Sequence, residues 1–342
     1  MQLLTFPINA TRPGVYTPLF SAPSKCIFLS FHAIWTGVAI YPVLFIQQAQ
    51  NTAVRCPQLS VCGITMERWE GLHPKPKDSE RGIPMTKFSH VIIRRPGKSL
   101  CNGITSAPEL GQPIYERAIE EHYDYEHALE QCGVDVTVLP ALEEYPDSCF
   151  VEDPAVITRC GAIITNPGAD SRNGEKNEIE PVVRRFFDDE HVKHIVSPGT
   201  LDGGDVMMVG DHFYVGRSAR TNEEGIRQFI EILEGWGLEG SEVPLEEVLH
   251  LKTGVNYIED NNMLVSGEFI DKPDFAKYNK IVVPEDEAYG ANCIWVNGTV
   301  IVAEGYPTVL KAVQDLGYKT LVVDTSEYRK VDGGLSCLSL RF

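Results

Sequence analysis

Four short segments of this 342-residue chain are richer in polar groups than packing against an apolar core requires. They are DSCFVED at 147–153, TLDGGD at 200–205, LHLKTG at 249–254 and DGGLSCL at 332–338. Each has an ordinary structural interpretation when taken singly, because acids often flank a solvated strand end and a lone histidine beside apolar residues is usually a satisfied core side chain. Together they hold a thiol, an imidazole and several carboxylates, a set that can attack a carbon electrophile.

Cys337 follows a Gly-Gly pair near the end of the chain, and we expect this turn to leave its thiol reachable. A thiol is a good nucleophile only as the thiolate, which a neighbouring cation or a histidine such as His250 stabilises. The chain has nine cysteines and no C-x-x-C pair, so the sequence indicates neither a disulfide framework nor a zinc site. We therefore expect most cysteines to be small buried side chains in a reducing compartment and one to be catalytic.

The carboxylates of 147–153 and 200–205 indicate which electrophile the thiolate meets. A guanidinium group is planar and cationic, and a carboxylate can accept two parallel N–H bonds from its fork. An ester or a peptide is a poor match, because its developing oxyanion requires hydrogen-bond donors. These residue types therefore predict a hydrolase whose thiolate attacks the guanidinium carbon of an arginine derivative.

The charge of the chain is strongly negative and unevenly distributed. The formal net charge is −18. Residues 1–84 carry seven Lys or Arg and four acidic side chains, a net of +3, whereas residues 85–342 carry 23 and 44, a net of −21. Such a field repels a polyanion and attracts a small cation. We therefore expect no nucleic-acid partner and favour a small cationic amino-acid substrate.

The first quarter of the chain differs in character from the rest. Residues 26–47 are almost continuously apolar and have roughly the length needed to cross a bilayer. Three interpretations remain open for residues 1–84: a membrane anchor, an organelle-targeting segment, or an extension outside the fold, the start site being drawn too early. We favour the extension, with Gly71–Pro84 as a linker and a catalytic domain at 85–342 in the cytoplasm.

The elements that must position the four segments follow Met85. Short β-branched runs alternate with amphipathic helices, which is typical of an α/β domain with internal repetition. Strands are predicted at 90–94, 134–139, 162–165, 281–283, 294–302 and 321–323, with Asn297-Gly298 as a hairpin turn. Helices are predicted around 114–129, from the cap Thr221-Asn222 to Gly237, and from Val309 through Leu316 to Gly317. No G-x-G-x-x-G motif or P-loop occurs, so no nucleotide cofactor is indicated.

Residues 85–342 closely resemble the dimethylarginine dimethylaminohydrolases, members of the guanidino-modifying superfamily with the pentein fold. The matching strings are PDSCFVEDP (146–154), NPGADSR (166–172), GTLDGGDVMMVGDHFYVG (199–216), SARTN (218–222), LHLKTG (249–254), ANCIWVN (291–297) and DTSEYRKVDGGLSCLSLRF (324–342). They cover essentially the whole domain in the family's order, while residues 1–84 have no counterpart in that pattern. The resemblance implies a five-bladed α/β propeller of ββαβ-like units around a pseudo-fivefold axis, with the substrate in the central channel.

The resemblance also implies roles for individual residues. Cys337 matches the nucleophile and His250 the general acid and base. Asp202 matches an acid that grips the guanidinium, where related members carry Glu, and Asp153 with Glu152 matches the second clamp. The remaining matches concern the rest of the substrate: Arg172 and Arg220 for its α-carboxylate, Asp147 for its α-amino group, and Ile104 near the substrate in a mobile lid at Leu100–Ser106, with Val331 as a further substrate-binding residue.

The implied reaction hydrolyses N-ω-methylated arginine to citrulline and a methylamine through a covalent S-alkylthiouronium on Cys337. It would serve arginine metabolism and nitric oxide regulation, with no metal or organic cofactor, in a monomer or a homodimer. An arginine deiminase is the nearest alternative, but such enzymes carry an extra helical insertion for which 258 residues leave no room. An amidinotransferase would also be longer. A non-catalytic guanidine-binding module would not need the thiol of Cys337.

Overall fold

The computed structural model describes residues 31–35, 40–44 and 87–342. The chain separates into two units, Met1–Pro76 and Lys77–Phe342. In the first unit, strand β1 (Phe31–Trp35) pairs antiparallel with strand β2 (Ile40–Leu44). The described part of the apolar stretch is therefore extended and not helical, in keeping with its β-branched and aromatic residues. No helix among the described residues is long and apolar enough to cross a membrane. The rest of the predicted extension, including the linker, lies outside the described residues.

The second unit is built from five three-stranded sheets with one plan. In each sheet a first strand pairs antiparallel with a second, and the second pairs parallel with a third. The strands are β3 (His90–Arg94) and β4 (Asp135–Leu139); β5 (Ala155–Thr158), β6 (Gly161–Ile164) and β7 (Val192–His194); β8 (Val206–Val209), β9 (His212–Arg217) and β10 (Glu239–Pro244); β11 (Val255–Tyr257), β12 (Asn262–Val265) and β13 (Asn279–Val282); β14 (Ile294–Val296), β15 (Thr299–Ala303) and β16 (Lys319–Val323); and β17 (Leu340–Arg341). Strand β17, the last in the chain, is the first strand of the sheet that contains β3 and β4.

Each parallel pair needs a crossover, because a tight turn cannot join parallel strands. Four of the crossovers contain an α-helix, and the fourth sheet uses two short 3₁₀ turns, Gly267–Phe269 and Pro273–Phe275. The helices are α1 (Tyr115–Gln131), α2 (Glu175–Val183), α3 (Glu223–Gly235) and α5 (Pro307–Asp315), and two single-turn helices, α4 (Leu251–Gly254) and α6 (Ser326–Arg329), lie between sheets. The alternation of strands and helices predicted from the sequence is confirmed.

The five sheets surround one axis. One cavity is lined by residues of β5, β8, β11, β14 and β17, the first strand of every sheet. The ring is closed where Leu340 of β17 pairs with Ile92 of β3, near the two ends of this unit. The predicted arrangement of five repeated units around an axis is therefore confirmed.

Local signals in the sequence determine several element boundaries. Asn297 and Gly298 have φ angles of 49° and 89°, the left-handed pair that a tight hairpin between β14 and β15 requires. The Asn222 side chain accepts a hydrogen bond of 2.8 Å from the Gly225 amide at the start of α3, as the cap predicts. One detail of the prediction is wrong: Leu316 is 41% exposed, because α5 ends one residue before it.

Candidate active site

The four polar segments meet because each one precedes the first strand of a sheet. Residues 147–153 lead into β5, residues 200–205 into β8, His250 into α4 and β11, and Cys337 into β17. First strands surround the axis, so the residues just before them collect at one end of it. The fifth segment of this kind, Tyr289–Asn292 before β14, carries no acid or thiol, and the sequence analysis predicts no site residue in it.

Cys337 and His250 line two adjoining cavities. The cavities share four residues, His250, Asp332, Gly333 and Cys337. The first cavity is otherwise lined by Ile104, Asp147, Phe150, Asp153, Arg172, Arg220, Leu249 and Val331. The second cavity is otherwise lined by Gly204, Lys252, Thr253, Tyr289, Asn292, Gly334 and Ser336. Six residues predicted to contact the substrate thus lie around the first cavity: Ile104, Asp147, Asp153, Arg172, Arg220 and Val331.

The imidazole of His250 is buried and held by carboxylates. Its Nε2 lies 3.0 Å from Oδ2 of Asp202. Burial alone lowers the pKa of His250, but the charges of Asp205, Asp153 and Asp202 outweigh burial and raise that pKa to about 9. The imidazole is therefore protonated at neutral pH and has a proton to give to a leaving group.

The thiol of Cys337 is held neutral in the free protein. Burial, and then the negative charges of Glu152 and Asp153, raise its pKa to about 12. The backbone amide of Cys337 donates to the Gly334 carbonyl at 3.1 Å, which fixes the turn. A cation placed against the sulfur would offset the negative field and lower this pKa, so the site becomes nucleophilic when a cationic ligand is bound.

The Gly-Gly pair of 200–205 serves close packing more than an unusual backbone angle. Residues Gly203–Asp205 form a 3₁₀ turn. A Cβ on Gly203 would lie 2.0 Å from the Glu152 carbonyl oxygen, and one on Gly204 would lie 2.9 Å from Nδ1 of His250. Asp202 and Asp205, on either side of this pair, have different roles.

Asp202 faces His250, while Asp205 holds neighbouring segments together. Oδ1 of Asp202 accepts from the Gly168 amide at 2.8 Å, and its side chain is fully buried. Asp205 accepts from the Leu251 amide at 2.9 Å and from the hydroxyls of Ser218 and Thr221 at 2.6 Å each. Asp205 therefore fixes the turn that follows His250.

Asp153 and Arg172 form a buried ion pair beside the cavity. Nη1 of Arg172 donates to Oδ2 of Asp153, and Nε and Nη2 donate to Glu175 at 2.9 and 2.7 Å. Burial alone raises the pKa of Asp153, but Arg172 and His250 outweigh burial and lower that pKa to about 2. Arg172 is thus engaged with protein carboxylates, whereas the guanidinium of Arg220 lines the cavity 3.9 Å from Oδ2 of Asp202.

Glu152 does not come to either cavity beside Cys337. Its Oε1 pairs with Nζ of Lys252 at 2.5 Å and with Nη2 of Arg341 at 3.4 Å, and its Oε2 accepts from the Ser336 hydroxyl at 3.0 Å. It lines the central cavity on the axis, whereas its neighbour Asp153 lines the first cavity. Glu152 and Asp153, which were predicted to act together, therefore line different cavities.

The lid segment Leu100–Ser106 is tied down at two points. The Ile104 amide donates to Oδ1 of Asp147 at 3.0 Å. The amide and hydroxyl of Ser106 donate to the carboxylate of Asp332 at 2.6 and 2.9 Å. Burial raises the pKa of Asp147. These bonds hold Ile104 against the first cavity.

Asn292 and Tyr289 position the segment that carries Cys337. Oδ1 of Asn292 accepts from the Ser336 amide at 2.9 Å, and its Nδ2 donates to the Lys252 carbonyl at 3.0 Å and to the Ser336 hydroxyl at 3.1 Å. The Tyr289 hydroxyl donates to the Gly333 carbonyl at 2.8 Å. Tyr289 and Asn292 could have been predicted from their position just before the strand β14, because the other four segments also precede the first strand of a sheet.

Asp153, Asp202 and His250 bring one ligand atom each within 4.8 Å of one another, the one such acid and histidine group found in the described part of the chain. Asp153 already accepts from Arg172 and Gly204, and Asp202 from Gly168. Each carboxylate keeps further lone-pair capacity for another donor, and the expectation that no metal takes part stays a prediction.

Comparison with known proteins identifies the family. The profile of the family described as N,N dimethylarginine dimethylhydrolase, eukaryotic, matches residues 106–295. The N(G),N(G)-dimethylarginine dimethylaminohydrolase of Pseudomonas aeruginosa is 56% identical over 255 residues, which are 75% of this chain and 100% of that protein. The chain belongs to the dimethylarginine dimethylaminohydrolase family. A member with the same name from Streptomyces coelicolor is 35% identical over 253 residues, 73% of this chain and 96% of that protein.

Solved structures of the dimethylarginine dimethylaminohydrolase family share the fold. A cysteine-to-serine mutant of the Pseudomonas aeruginosa enzyme complexed with citrulline matches with a TM-score of 0.74 at 56% identity, over 75% of this chain and 100% of that one. The N-terminal domain of ArgZ, a cyanobacterial arginine dihydrolase, matches with a TM-score of 0.65 at 18% identity, over 75% and 97%. The ArgZ likeness concerns the fold alone. The five-sheet ring is thus the pentein fold.

Proposed function

We propose that this chain hydrolyses N-ω-methylated arginine to citrulline and dimethylamine or methylamine, through a covalent intermediate on Cys337. One observation carries the proposal: a thiol, a protonated imidazole and the Asp153 carboxylate line one cavity together with Arg220 and Asp147, and Asp202 lies 3.0 Å from His250. Family membership supports it, since relatives of this name were solved with citrulline and with S-methyl-L-thiocitrulline.

Substrate binding follows from the charges around the first cavity. Asp153 and Asp202 accept N–H bonds from the guanidinium, which a carboxylate matches in charge and geometry. Arg220 takes the α-carboxylate and Asp147 the α-amino group, while Ile104 and Val331 contact the aliphatic part.

Arg172 acts through Asp153 in this proposal. Its charge keeps the Asp153 carboxylate ionised despite complete burial. The direct contact between Arg172 and the substrate α-carboxylate, implied by the resemblance, stays a prediction. Glu152 likewise acts at a distance, because its field and its ion pair with Lys252 set the environment of the thiol.

The chemistry begins when the bound cation lowers the pKa of Cys337 and its proton leaves to solvent. The thiolate forms a bond to the guanidinium carbon, giving a neutral tetrahedral adduct. His250 donates its proton to the methylated nitrogen, the carbon–nitrogen bond breaks, and the amine leaves a cationic thiouronium on sulfur. Proton transfer of this kind is worth about 10²–10⁴ in rate.

The second half returns the enzyme to its starting state. His250, now neutral, takes a proton from water, and the hydroxide adds to the same carbon. The adduct expels the Cys337 thiolate, the proton of the new hydroxyl returns the thiolate to the neutral thiol, and citrulline is released. One water is consumed and one amine is formed for each turnover.

The test is a substrate comparison. Purified protein should release dimethylamine from asymmetric dimethylarginine and methylamine from monomethylarginine, with citrulline in equal amounts. Equal turnover of free arginine would contradict the proposal and indicate a deiminase. Cys337→Ser should abolish turnover, while His250→Gly should slow it and let the adduct accumulate on the Cys337 peptide, visible by mass spectrometry.

A further inference from the structure

We propose that Tyr125, Ser339 and Arg341 form a hydrogen-bonded network that positions the nucleophile from outside the two cavities, with Tyr125 and Ser339 as positioning residues for Cys337. The inference rests on the proposed function and deepens it, because it names the side chains that hold the attacking sulfur in place. The resemblance assigns no role to any of the three residues.

The segment that carries Cys337 has little regular structure of its own. Residues 330–339 lie in turns between α6 and β17, and Gly333 and Gly334 are among them. Such a segment is ordered only if side chains of other elements bind it, since glycine adds conformational freedom that folding must remove. The ordering matters, because displacing a reacting group by about 1 Å can lower a rate about a hundredfold.

The hydroxyl of Tyr125 binds this segment before Cys337. Tyr125 belongs to α1, is fully buried and lies in the same apolar cluster as Leu335. A phenylalanine ring would fill the same space, whereas a buried phenol requires a hydrogen-bond partner. The Tyr125 hydroxyl donates to the Leu335 carbonyl at 2.8 Å, and no other donor to this carbonyl is found in the part of the chain that the structure describes. The placement of the carbonyl therefore depends on Tyr125.

Ser339 binds the network after Cys337. Its Oγ accepts from Nη1 of Arg341 at 2.6 Å and lies 2.7 Å from the Tyr125 hydroxyl oxygen. Tyr125 gives its one proton to the Leu335 carbonyl, which can only accept, so Ser339 is the donor in the 2.7 Å bond. The hydrogen bonds thus run in one direction, from the guanidinium to the carbonyl, and they bind the segment on both sides of Cys337.

Arg341 anchors the other end of the network. It belongs to β17, where it pairs with Val91 of β3, and its Nη2 lies 3.4 Å from Oε1 of Glu152. The segment is therefore tied between a helix and a strand. Tyr125 and Ser339 line neither cavity at Cys337, so they act on the reaction through the backbone of the segment.

Tyr125→Phe tests the inference by removing one oxygen atom while the ring keeps its place. We expect kcat for asymmetric dimethylarginine to fall about tenfold or more, with KM changed less than about twofold, because the sulfur is displaced while Arg220 and Asp147 still bind the substrate. In single turnovers, stopped by rapid acid quench and weighed by mass spectrometry, the adduct on Cys337 should also form more slowly.

The matched control is Tyr328→Phe. Tyr328 is equally buried, and its hydroxyl donates to the Ala118 carbonyl of the same helix α1 at 2.7 Å. This variant should retain the kcat of wild-type protein. Urea unfolding of both variants gives the loss of stability with which any loss of kcat is compared.

A double-mutant cycle tests whether the two hydroxyls act as one network. Ser339→Ala should lower kcat as Tyr125→Phe does, and it provides the same test if Tyr125→Phe does not fold, which circular dichroism checks. The double variant should lose less than about twofold beyond the larger single loss, because either substitution already breaks the network.

Two results would overturn the inference and leave the proposed function standing. One is a kcat for Tyr125→Phe or Ser339→Ala no lower than that of Tyr328→Phe, and the other is a double variant in which the two losses multiply in full. Failure of wild-type protein to hydrolyse any methylated arginine would instead overturn the proposed function, and the inference with it.

Discussion

At the scale of single residues, the site places a neutral thiol and a protonated imidazole at the same cavity. The thiol of Cys337 is neutral because burial, Glu152 and Asp153 raise its pKa to about 12, while His250 is protonated because three carboxylates raise its pKa to about 9. In the proposed mechanism, the free protein therefore holds its acid protonated and its nucleophile neutral until a cationic substrate binds. This arrangement protects the thiol from reagents that bring no positive charge.

The protection of Cys337 gives a first prediction. Alkylation by neutral iodoacetamide should be slow at pH 7 and rise about tenfold for each pH unit, because the thiolate fraction does so below its pKa. Glu152→Gln removes a negative charge and takes away the ion-pair partner of Lys252. Both changes make the surroundings of the sulfur more positive and lower the pKa of Cys337. The variant should thus be alkylated faster at pH 8, measured by mass spectrometry of the Cys337 peptide.

The control for this experiment is Glu116→Gln, which removes an exposed carboxylate of α1. That variant should match the wild type in alkylation rate. If Glu152→Gln were alkylated no faster than wild-type protein, Glu152 would not contribute to the field at the sulfur.

At the scale of elements, the position just before the first strand of each sheet organises the site. Four of the five positions carry groups that take part in the proposed reaction, and the fifth carries Asn292, which binds both backbone and hydroxyl of Ser336. A Cβ on Gly334 would lie 2.7 Å from the Asn292 side chain, so the two segments fit closely. The nucleophile segment is thus positioned by a sheet other than its own.

A second prediction concerns this contact. Asn292→Ala removes three hydrogen bonds and leaves the buried amide of Ser336 without an acceptor, whereas the Lys252 carbonyl still accepts from Asn256 and the Ser336 hydroxyl still donates to Glu152. The free energy of unfolding should fall by about 1–3 kcal/mol. It should also lower kcat with a smaller change in KM, because Cys337 is no longer held in place while Arg220 and Asp147 are untouched. Steady-state kinetics and urea unfolding measure the two effects.

The matched control is Asn262→Ala in the fourth sheet, a buried side chain whose amide donates to the Tyr318 hydroxyl at 2.8 Å. It should lower stability without a change in kcat. Equal effects of the two variants on kcat would show that Asn292 acts through stability alone.

Helices α1 and α6 meet at a buried acid that gives a third prediction. Glu121 accepts from the Ser326 hydroxyl at 2.9 Å and from the Glu327 amide at 3.1 Å. Burial raises its pKa to about 7, despite these bonds. The folded state therefore keeps a proton that the unfolded chain releases between about pH 4.5 and 7, so Glu121 lowers stability as pH rises through this window, by about 1.4 kcal/mol per unit.

Glu121→Gln should remove this dependence. The free energy of unfolding of Glu121→Gln, measured in urea, should increase relative to that of wild-type protein as pH rises from 5 to 8. Glu116→Gln in the same helix serves as control and should track the wild type. A constant difference between Glu121→Gln and wild type over this range would contradict the prediction.

At the scale of the whole molecule, the five sheets close into a ring through the last residues of the chain. The Phe342 carbonyl accepts from the amides of Ser89 and His90 at 2.7 Å each, and its ring packs on Phe186 at 5.0 Å between centroids. Closure places Cys337 three residues before β17, at the same end of the axis as the other segments. The site therefore exists only when the ring is closed.

Ring closure gives a fourth prediction about the two ends of the chain. Deleting residues 1–84 should leave kcat/KM within about twofold, because the five sheets and every candidate site residue lie within 87–342. Deleting Leu340–Phe342 should abolish folding or activity, because it removes the first strand of one sheet. Activity assays and circular dichroism of both truncations measure this, and loss of folding in the first would place residues 1–84 within the catalytic domain.

The sequence by itself determined the elements that depend on neighbours in the chain. The Asn297-Gly298 turn, the Asn222 cap and the alternation of strands and helices follow from local backbone preferences, so they were predictable. The candidate residues were found through motifs, because a motif is defined by residue type and order and needs no coordinates. Cys337, His250, Asp153 and Asp202 all belong to this group.

Only the tertiary structure decided which way adjacent side chains face and what charges they carry. Glu152 and Asp153 are neighbours in sequence but line different cavities, and Arg172 is bound by Asp153 and Glu175. The contact between Asn292 and the segment that carries Cys337 could be recognised only once the five first strands were seen around one axis. The pKa values of Cys337 and His250 depend on burial and on carboxylates up to 185 positions away in the chain, as from Glu152 to Cys337. Such a field is a sum over distances in space, which the order of residues does not contain.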